Sequence, residues 1–233
     1  MCTRYVSPEQ REIEDFWRIG AGSGKTWDRG LFPLAKGPFI RRDAGGAREL
    51  VVGQWGMIPP DSETHVPIRK PRGPGDKPKR LSTVNARTES MTSRPTYRAP
   101  WTQGRRCIIP AASFDEPNWE SLKNVWWTFR RADGAPWGLA GLWNTWVDPL
   151  TGEIWDSYTM LTMNANAHPL MSRMHKPEVD PVTKQPLPLE KQDKRSVIAI
   201  EAGDVDQWLA GTVEEARALL RLSPVEVFDA GPA

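Results

Sequence analysis

Apolar positions along the chain recur with two different periods. Near the N-terminus, Ile13, Phe16 and Trp17 follow one another at helical spacing. Ser7-Pro8-Glu9-Gln10, just ahead of them, predicts a helix start: Ser7 can cap, Pro8 suits the first helical position, and Gln10 stands where a capping box wants Glu or Gln. Thr212-Val213-Glu214-Glu215 repeats that logic near the C-terminus and leads into Ala216, Leu219 and Leu220. Between these ends the signals are for strands. Residues 49–58, 106–110, 125–131, 137–147, 158–165 and 197–201 are short β-branched or aromatic runs bounded by Gly, Pro, Asp and Asn. Strands in the middle and helices at the edges predict an α+β fold, with a curved, barrel-like antiparallel β core and peripheral helices. Two proline-rich stretches, 59–80 (also basic) and 177–193, are expected to be long loops, which in compact domains tend to be functional or mobile.

Composition narrows the class. The 233 residues have room for one sizeable domain and not for two large ones, so one domain over 1–233 is expected. With 39% apolar and 26% charged residues and a net charge of +2, extensive disorder is excluded. No apolar run approaches the ~18 residues of a membrane span, and the N-terminus has no apolar signal region, so a cytoplasmic location is expected. Two cysteines and three histidines do not make a disulfide framework or a zinc site, and no phosphate or dinucleotide loop is present, so no metal or cofactor is expected.

The small net charge conceals an uneven distribution. Residues 69–106 hold eleven Lys or Arg against two acids, Asp76 and Glu89, a local +9 that leaves −7 elsewhere. Within that stretch arginines alternate with aromatics (Arg94, Tyr97, Arg98, Trp101, Arg105, Arg106), a pairing suited to phosphates and bases of single-stranded nucleic acid.

Cys2 is the most unusual placement. If Met1 is removed, the chain begins with a 1,2-aminothiol. An α-amine titrates near about 7.7–8.0 and a thiol near about 8.5, so both are partly available as nucleophiles at neutral pH. An aldehyde would form a Schiff base with the amine, and the thiol would close onto the imine as a thiazolidine. An incidental terminal cysteine is the plain alternative. Cys107, followed by Ile108 and Ile109, reads as a small buried hydrophobe.

Several other segments occur in a telling order. Trp55-Gly56 precedes a proline turn. Asn85-Ala86-Arg87-Thr88-Glu89 is followed by Ser93-Arg94. Arg106-Cys107-Ile108-Ile109-Pro110-Ala111 leads to Phe114-Asp115-Glu116, and Ala140-Gly141-Leu142-Trp143 closes a strand. With Met1-Cys2-x-Arg4, this order resembles the SOS-response-associated peptidase (SRAP) family, from residue 2 to about residue 210. The resemblance implies a single α+β domain with a barrel-like core and a basic DNA cleft. It implies a monomeric sensor of abasic sites in single-stranded DNA, nucleoid-associated when bound, that crosslinks to the ring-opened sugar aldehyde through Cys2 and shields the lesion during repair. It also implies autoproteolytic exposure of Cys2.

The resemblance assigns roles position by position. Cys2 is the nucleophile, Asn85 orients the sugar near the terminal amine, and Glu116 shuttles protons. Arg4, Arg87 and Arg94 match phosphate-contacting arginines, although Arg87 also has Glu89 close by for an ion pair. Trp55 and Thr162 match residues beside the cleft; each also reads as a core or strand residue. The sequence departs from the family at its late histidine, where Met171 stands in one possible alignment. The alternative places His175 in the motif, continues it at Asp193-Lys194-Arg195, and makes 177–193 an insertion; His168 is the runner-up. A histidine there could protonate the sugar ring oxygen as the aldehyde opens. Two other functions stay open: a thiol peptidase using Cys2 on protein substrates, and a non-catalytic single-stranded DNA binder.

Overall fold

The computed structural model describes residues 1–20, 24, 26–69, 71 and 73–233. Its first part comprises β1 (Tyr5–Val6), α1 (Gln10–Trp17), β2 (Gly30–Leu31), β3 (Lys36–Arg42) and β4 (Arg48–Trp55). A small hairpin, β5 (Ile68–Arg69) and β6 (Lys79–Arg80), precedes β7 (Asn85–Arg87) and α2 (Pro95–Thr102). There follow β8 (Arg106–Ala111), β9 (Ser113–Asn118), β10 (Val125–Arg131), β11 (Trp137–Val147) and β12 (Ile154–Asn164). The chain ends with β13 (Arg195–Val197), α3 (Val205–Ala210), α4 (Val213–Ala218) and β14 (Phe228–Pro232).

The expected barrel-like core is present. Strands β11, β8, β3, β4 and β12 are hydrogen-bonded in that order, and β12 pairs again with β11, which closes the ring. A ring made only of antiparallel neighbours needs an even number of strands, because each pairing reverses direction. Five strands therefore require a parallel seam, and it falls between β4 and β12, at Gln54–Ser157 and Trp55–Tyr158. β7 also lies parallel to β12, off the ring.

The parallel seam requires a glycine. A Cβ at Gly53 would lie 2.6 Å from the backbone oxygen of Asp156, closer than atoms can approach. Gly53→Ala is expected to destabilise the fold by about 1–3 kcal/mol through overpacking. Urea unfolding checks this: the midpoint should fall with an unchanged slope.

Ring strands are buried on both faces, so they read as continuous apolar runs. Cys107 and Ile109 of β8, Leu139 of β11 and Tyr158 and Met160 of β12 point into one core cluster. Ile108, Ala140, Leu142 and Leu161 point into the other, against Trp17 of α1, Trp101 of α2 and Trp208 of α3. Five of the twelve tryptophans (Trp17, Trp55, Trp101, Trp137 and Trp208) are fully buried, so much of the tryptophan content serves the core. A second sheet, ordered β14-β10-β9-β1-β2, carries the N-terminus.

Helix α1 starts later than its sequence suggests. Ser7 does not cap it: its backbone N–H bonds Arg29 O and its hydroxyl accepts from Trp27 Nε1. Ser7 is thereby committed to the chain running between β1 and β2, and Glu9 takes the cap position. The capping box at Thr212 forms as expected, with Glu215 N–H on the threonine hydroxyl at 3.2 Å and Thr212 N–H on the Glu215 carboxylate at 2.7 Å. Among the described residues no helix is long and apolar enough to cross a membrane.

Candidate active site

Strand pairing brings the N-terminus to Glu116. Tyr5 of β1 is opposite Phe114 of β9, and the ladder runs on with Asp115 N–H donating to Arg4 O at 3.0 Å. The terminal nitrogen of Met1 lies 3.4 Å from Glu116 Oε2. Glu116 itself is only 1% exposed.

Asn85 comes in from β7. Trp55 Nε1 donates to Val84 O at 3.0 Å, and Met160 N–H donates to the same oxygen at 2.9 Å, which pins the chain just before Asn85. From that position Asn85 Nδ2 donates to Cys2 O at 2.7 Å. Its Oδ1 is buried with no hydrogen-bond partner among the described residues.

His175 arrives from the opposite side. Its N–H donates to Pro117 O at 2.7 Å, docking its backbone on β9, and its Nε2 lies 2.8 Å from Glu116 Oε2. One carboxylate oxygen thus faces both the terminal amine and the imidazole. Burial alone would push the Glu116 carboxyl up. The terminal ammonium and His175 outweigh that penalty and hold it below the ordinary carboxylate value.

The thiol is in a different state. Burial pushes the Cys2 thiol far above its ordinary value, and the Glu116 charge adds to the shift. Its Sγ–H points to Arg4 O at 3.3 Å. At neutral pH this group is a thiol and not a thiolate, which revises the availability inferred from an unperturbed cysteine.

A family model described as SOS response associated peptidase (SRAP) matches residues 1–230. The chain belongs to the SRAP family. Among similar proteins, the abasic site processing protein HMCES of Xenopus tropicalis is 25% identical over 64% of this chain and 49% of its own length. The abasic site processing protein YoaM of Bacillus subtilis is 28% identical over 52% of this chain and 47% of its own. The SRAP chain therefore spans about half the length of the curated relatives it matches. A crystal structure of a Bordetella bronchiseptica protein superposes with a TM-score of 0.80 at 33% identity, covering 100% of this chain and 99% of that one. A Bacteroides thetaiotaomicron structure shares the fold, with a TM-score of 0.71 at 19% identity over 99% and 91% of the two chains.

Of the residues expected in the SRAP site, Cys2, Asn85, Glu116 and His175 converge. His168 does not: its Nε2 bonds Ser223 O at 2.9 Å, and its Nδ1 accepts the N–H groups of Leu170 and Met171. With both ring nitrogens occupied by backbone, His168 holds a turn. Trp55 and Thr162, expected beside the cleft, are both buried and cannot touch a nucleic acid directly. Trp55 stands edge-on to Tyr5 and supports Val84, while the Thr162 backbone oxygen accepts from Thr88 N–H and Arg195. Both support the site from behind.

The basic stretch is also divided by the fold. Arg106 is buried against the carbonyls of Trp208 and Gly211, and Arg69 pairs with Asp76. Lys70 and Arg72 lie outside the described residues. In α2 the alternation of arginine and aromatic residues is helical: Tyr97 and Trp101, four apart, turn inward, while Arg94 and Arg98 are exposed. The rings are therefore unavailable for base stacking. Arg4 pairs with Asp115 at 3.1 Å, and Arg87 pairs with Asp193 rather than Glu89.

The residues around Glu116 include aromatics that sequence reasoning missed. Trp127 is the cross-strand partner of Glu116, and Arg173 lies over its ring at 5.0 Å. Lys176 lies over Trp119 at 5.6 Å, and Arg4 lies 5.8 Å from the exposed Phe32 ring. The available signal was the phase of β10, where Trp127 shares a face with the buried Phe129 two residues on.

Proposed function

We propose that this protein processes abasic sites in single-stranded DNA by forming a covalent thiazolidine through Cys2 once Met1 is removed. The observation that carries the reading is the meeting of Glu116 Oε2 with His175 Nε2 at 2.8 Å and with the Met1 nitrogen at 3.4 Å, one residue from the amine that Met1 removal would expose, while Asn85 holds Cys2 O at 2.7 Å. The curated relatives are named abasic site processing proteins, which agrees with an abasic site as the lesion.

The chemistry follows from those groups. An abasic sugar is mostly a closed hemiacetal, and opening it breaks the C1′–O4′ bond. O4′ must gain a proton and the C1′ hydroxyl must lose one. The Glu116–His175 pair serves both transfers, with His175 supplying the proton to O4′. The Cys2 amine then adds to the aldehyde, and loss of one water gives the imine. Finally the thiol adds across C=N, sulfur to C1′ and hydrogen to nitrogen, closing the five-membered ring. Asn85 holds the Cys2 carbonyl and leaves Oδ1 to accept a sugar hydroxyl. Exposed Arg94, with Arg4 and Arg87, lies to hand for phosphates.

Burial of the Cys2 thiol favours this route over a peptidase acting on other proteins. A peptidase would need the thiolate as its first nucleophile, and here the thiolate is disfavoured. In the proposed route the amine acts first and the neutral thiol second.

Incubation with an oligonucleotide carrying one abasic site, followed by a denaturing gel and intact mass, tests the reading. The adduct should have the mass of the Met1-less chain plus the DNA, less one water. No adduct, or an adduct retaining Met1, would overturn it.

A further inference from the structure

Lys194 is 5% exposed, yet no carboxylate lies within ion-pairing distance of it among the described residues. Its Nζ instead donates to two consecutive backbone carbonyls, Met174 O and His175 O, each at 2.7 Å. Burying an ammonium against neutral oxygens is costly, and burial lowers its pKa below the ordinary lysine value, with Glu178 opposing. Such a placement needs a reason.

The backbone of His175 supplies one. Its φ is +64°, in the left-handed region that glycine and asparagine usually occupy. Two carbonyls in succession then turn toward a single point, and Lys194 Nζ occupies it. On the other side, His175 N–H is held by Pro117 O, and Met174 bridges to Asn118. The His175 backbone is thus clamped between β9 and Lys194. β9 also carries Glu116, so the clamp sets the 2.8 Å contact between the imidazole and the carboxylate.

The neighbours of Lys194 grip the other half of the site. Asp193 pairs with Arg87, while Arg195 donates to Thr162 O and pairs with Glu89. The proline-rich stretch 177–193 leaves the chain directly after Lys176 and returns directly before Lys194. Its base is closed by Gln192, whose amide bonds Glu178 N–H, Glu178 O and Leu187 O.

We infer that Lys194 is a positioning residue for His175, holding the left-handed turn that aims the imidazole at Glu116. The inference rests on the proposed crosslinking reaction. It predicts a loss confined to the step that uses His175, the opening of the sugar ring.

Two oligonucleotides separate that step from the rest. One carries a natural abasic site; the other carries an aldehyde at the same position but lacks the hydroxyl needed to cyclise. Lys194→Met should slow crosslinking to the natural site roughly tenfold to a hundredfold, as expected for a misplaced reacting group. It should leave the non-cyclising aldehyde near the wild-type rate. His175→Ala should slow crosslinking to the natural site at least as much, and the double variant should be no slower there than His175→Ala alone. Lys194→Gln, which keeps a donor for one carbonyl, is read in the same way if the methionine variant does not fold. Equal slowing on both oligonucleotides, no slowing on either, additivity with His175→Ala, or failure of both variants to fold would each overturn the inference. If the wild-type protein reacts with neither oligonucleotide, it is the proposed function that fails.

Discussion

Cys2→Ala is expected to reduce the stable crosslink to background while sparing an imine that borohydride can trap. Alanine at position 2 still supplies a terminal amine after Met1 removal, so the aldehyde can condense with it beside Glu116. It has no sulfur to close onto the imine, and the imine hydrolyses when the DNA is denatured for the gel. Wild type should give a band that needs no reductant; Cys2→Ala should give one only when borohydride is added. The fold should survive. The Cys2 side chain is fully buried, and removing one sulfur leaves a cavity of roughly methyl size, worth about 1 kcal/mol. A melting temperature close to wild type would verify that. A reductant-independent crosslink at the wild-type level in Cys2→Ala would sink the thiazolidine route.

Glu116→Gln is expected to slow crosslinking by about 10²–10⁴-fold, the range for loss of a positioned acid–base group. Glutamine keeps the shape and can still hydrogen-bond, but it cannot carry a proton between the amine, the sugar and His175. The same substitution has a signature in stability. In the folded protein the Glu116 carboxyl is held below its ordinary value of 4.5. A carboxyl depressed in this way stabilises the fold fully above the unfolded value. Its contribution is lost as pH falls from there through the folded value. The stability difference between wild type and Glu116→Gln should therefore be present above about pH 4.5 and shrink below it. Urea midpoints at neutral and acid pH read this directly. A near-wild-type crosslinking rate for the variant would remove Glu116 from the mechanism. A stability difference that grew in acid would show that its pairing has been misread.

The parts of the fold legible in the sequence are those set by short-range rules. The strand at Val125–Arg131, the strand at Trp137–Val147 and the capping box at Thr212 each depend on residues within a few positions of one another. β3, α2 and β9 were not legible. Gly37-Pro38 interrupts the apolar run of β3, and prolines at 95 and 100 obscure α2. The strand character of β9 comes from its neighbours β1 and β10 more than from its own Asp-Glu-Pro composition.

The site divides in the same way. By itself, the sequence determined that position 2 carries a thiol, that Asn85 and Glu116 stand in family motifs, and that either His175 or His168 could join them. Only the tertiary structure separates the two histidines, with His175 against Glu116 and both nitrogens of His168 occupied by backbone. It also withdrew Trp55, Thr162, Tyr97 and Trp101 from the surface, and raised the thiol pKa. The physical reason is common to all of these. Period, capping and motif order are local properties, whereas burial and electrostatic environment depend on which distant strands meet. In this protein that was settled by the closure of a five-stranded ring and by the lateral pairing of β1 with β9.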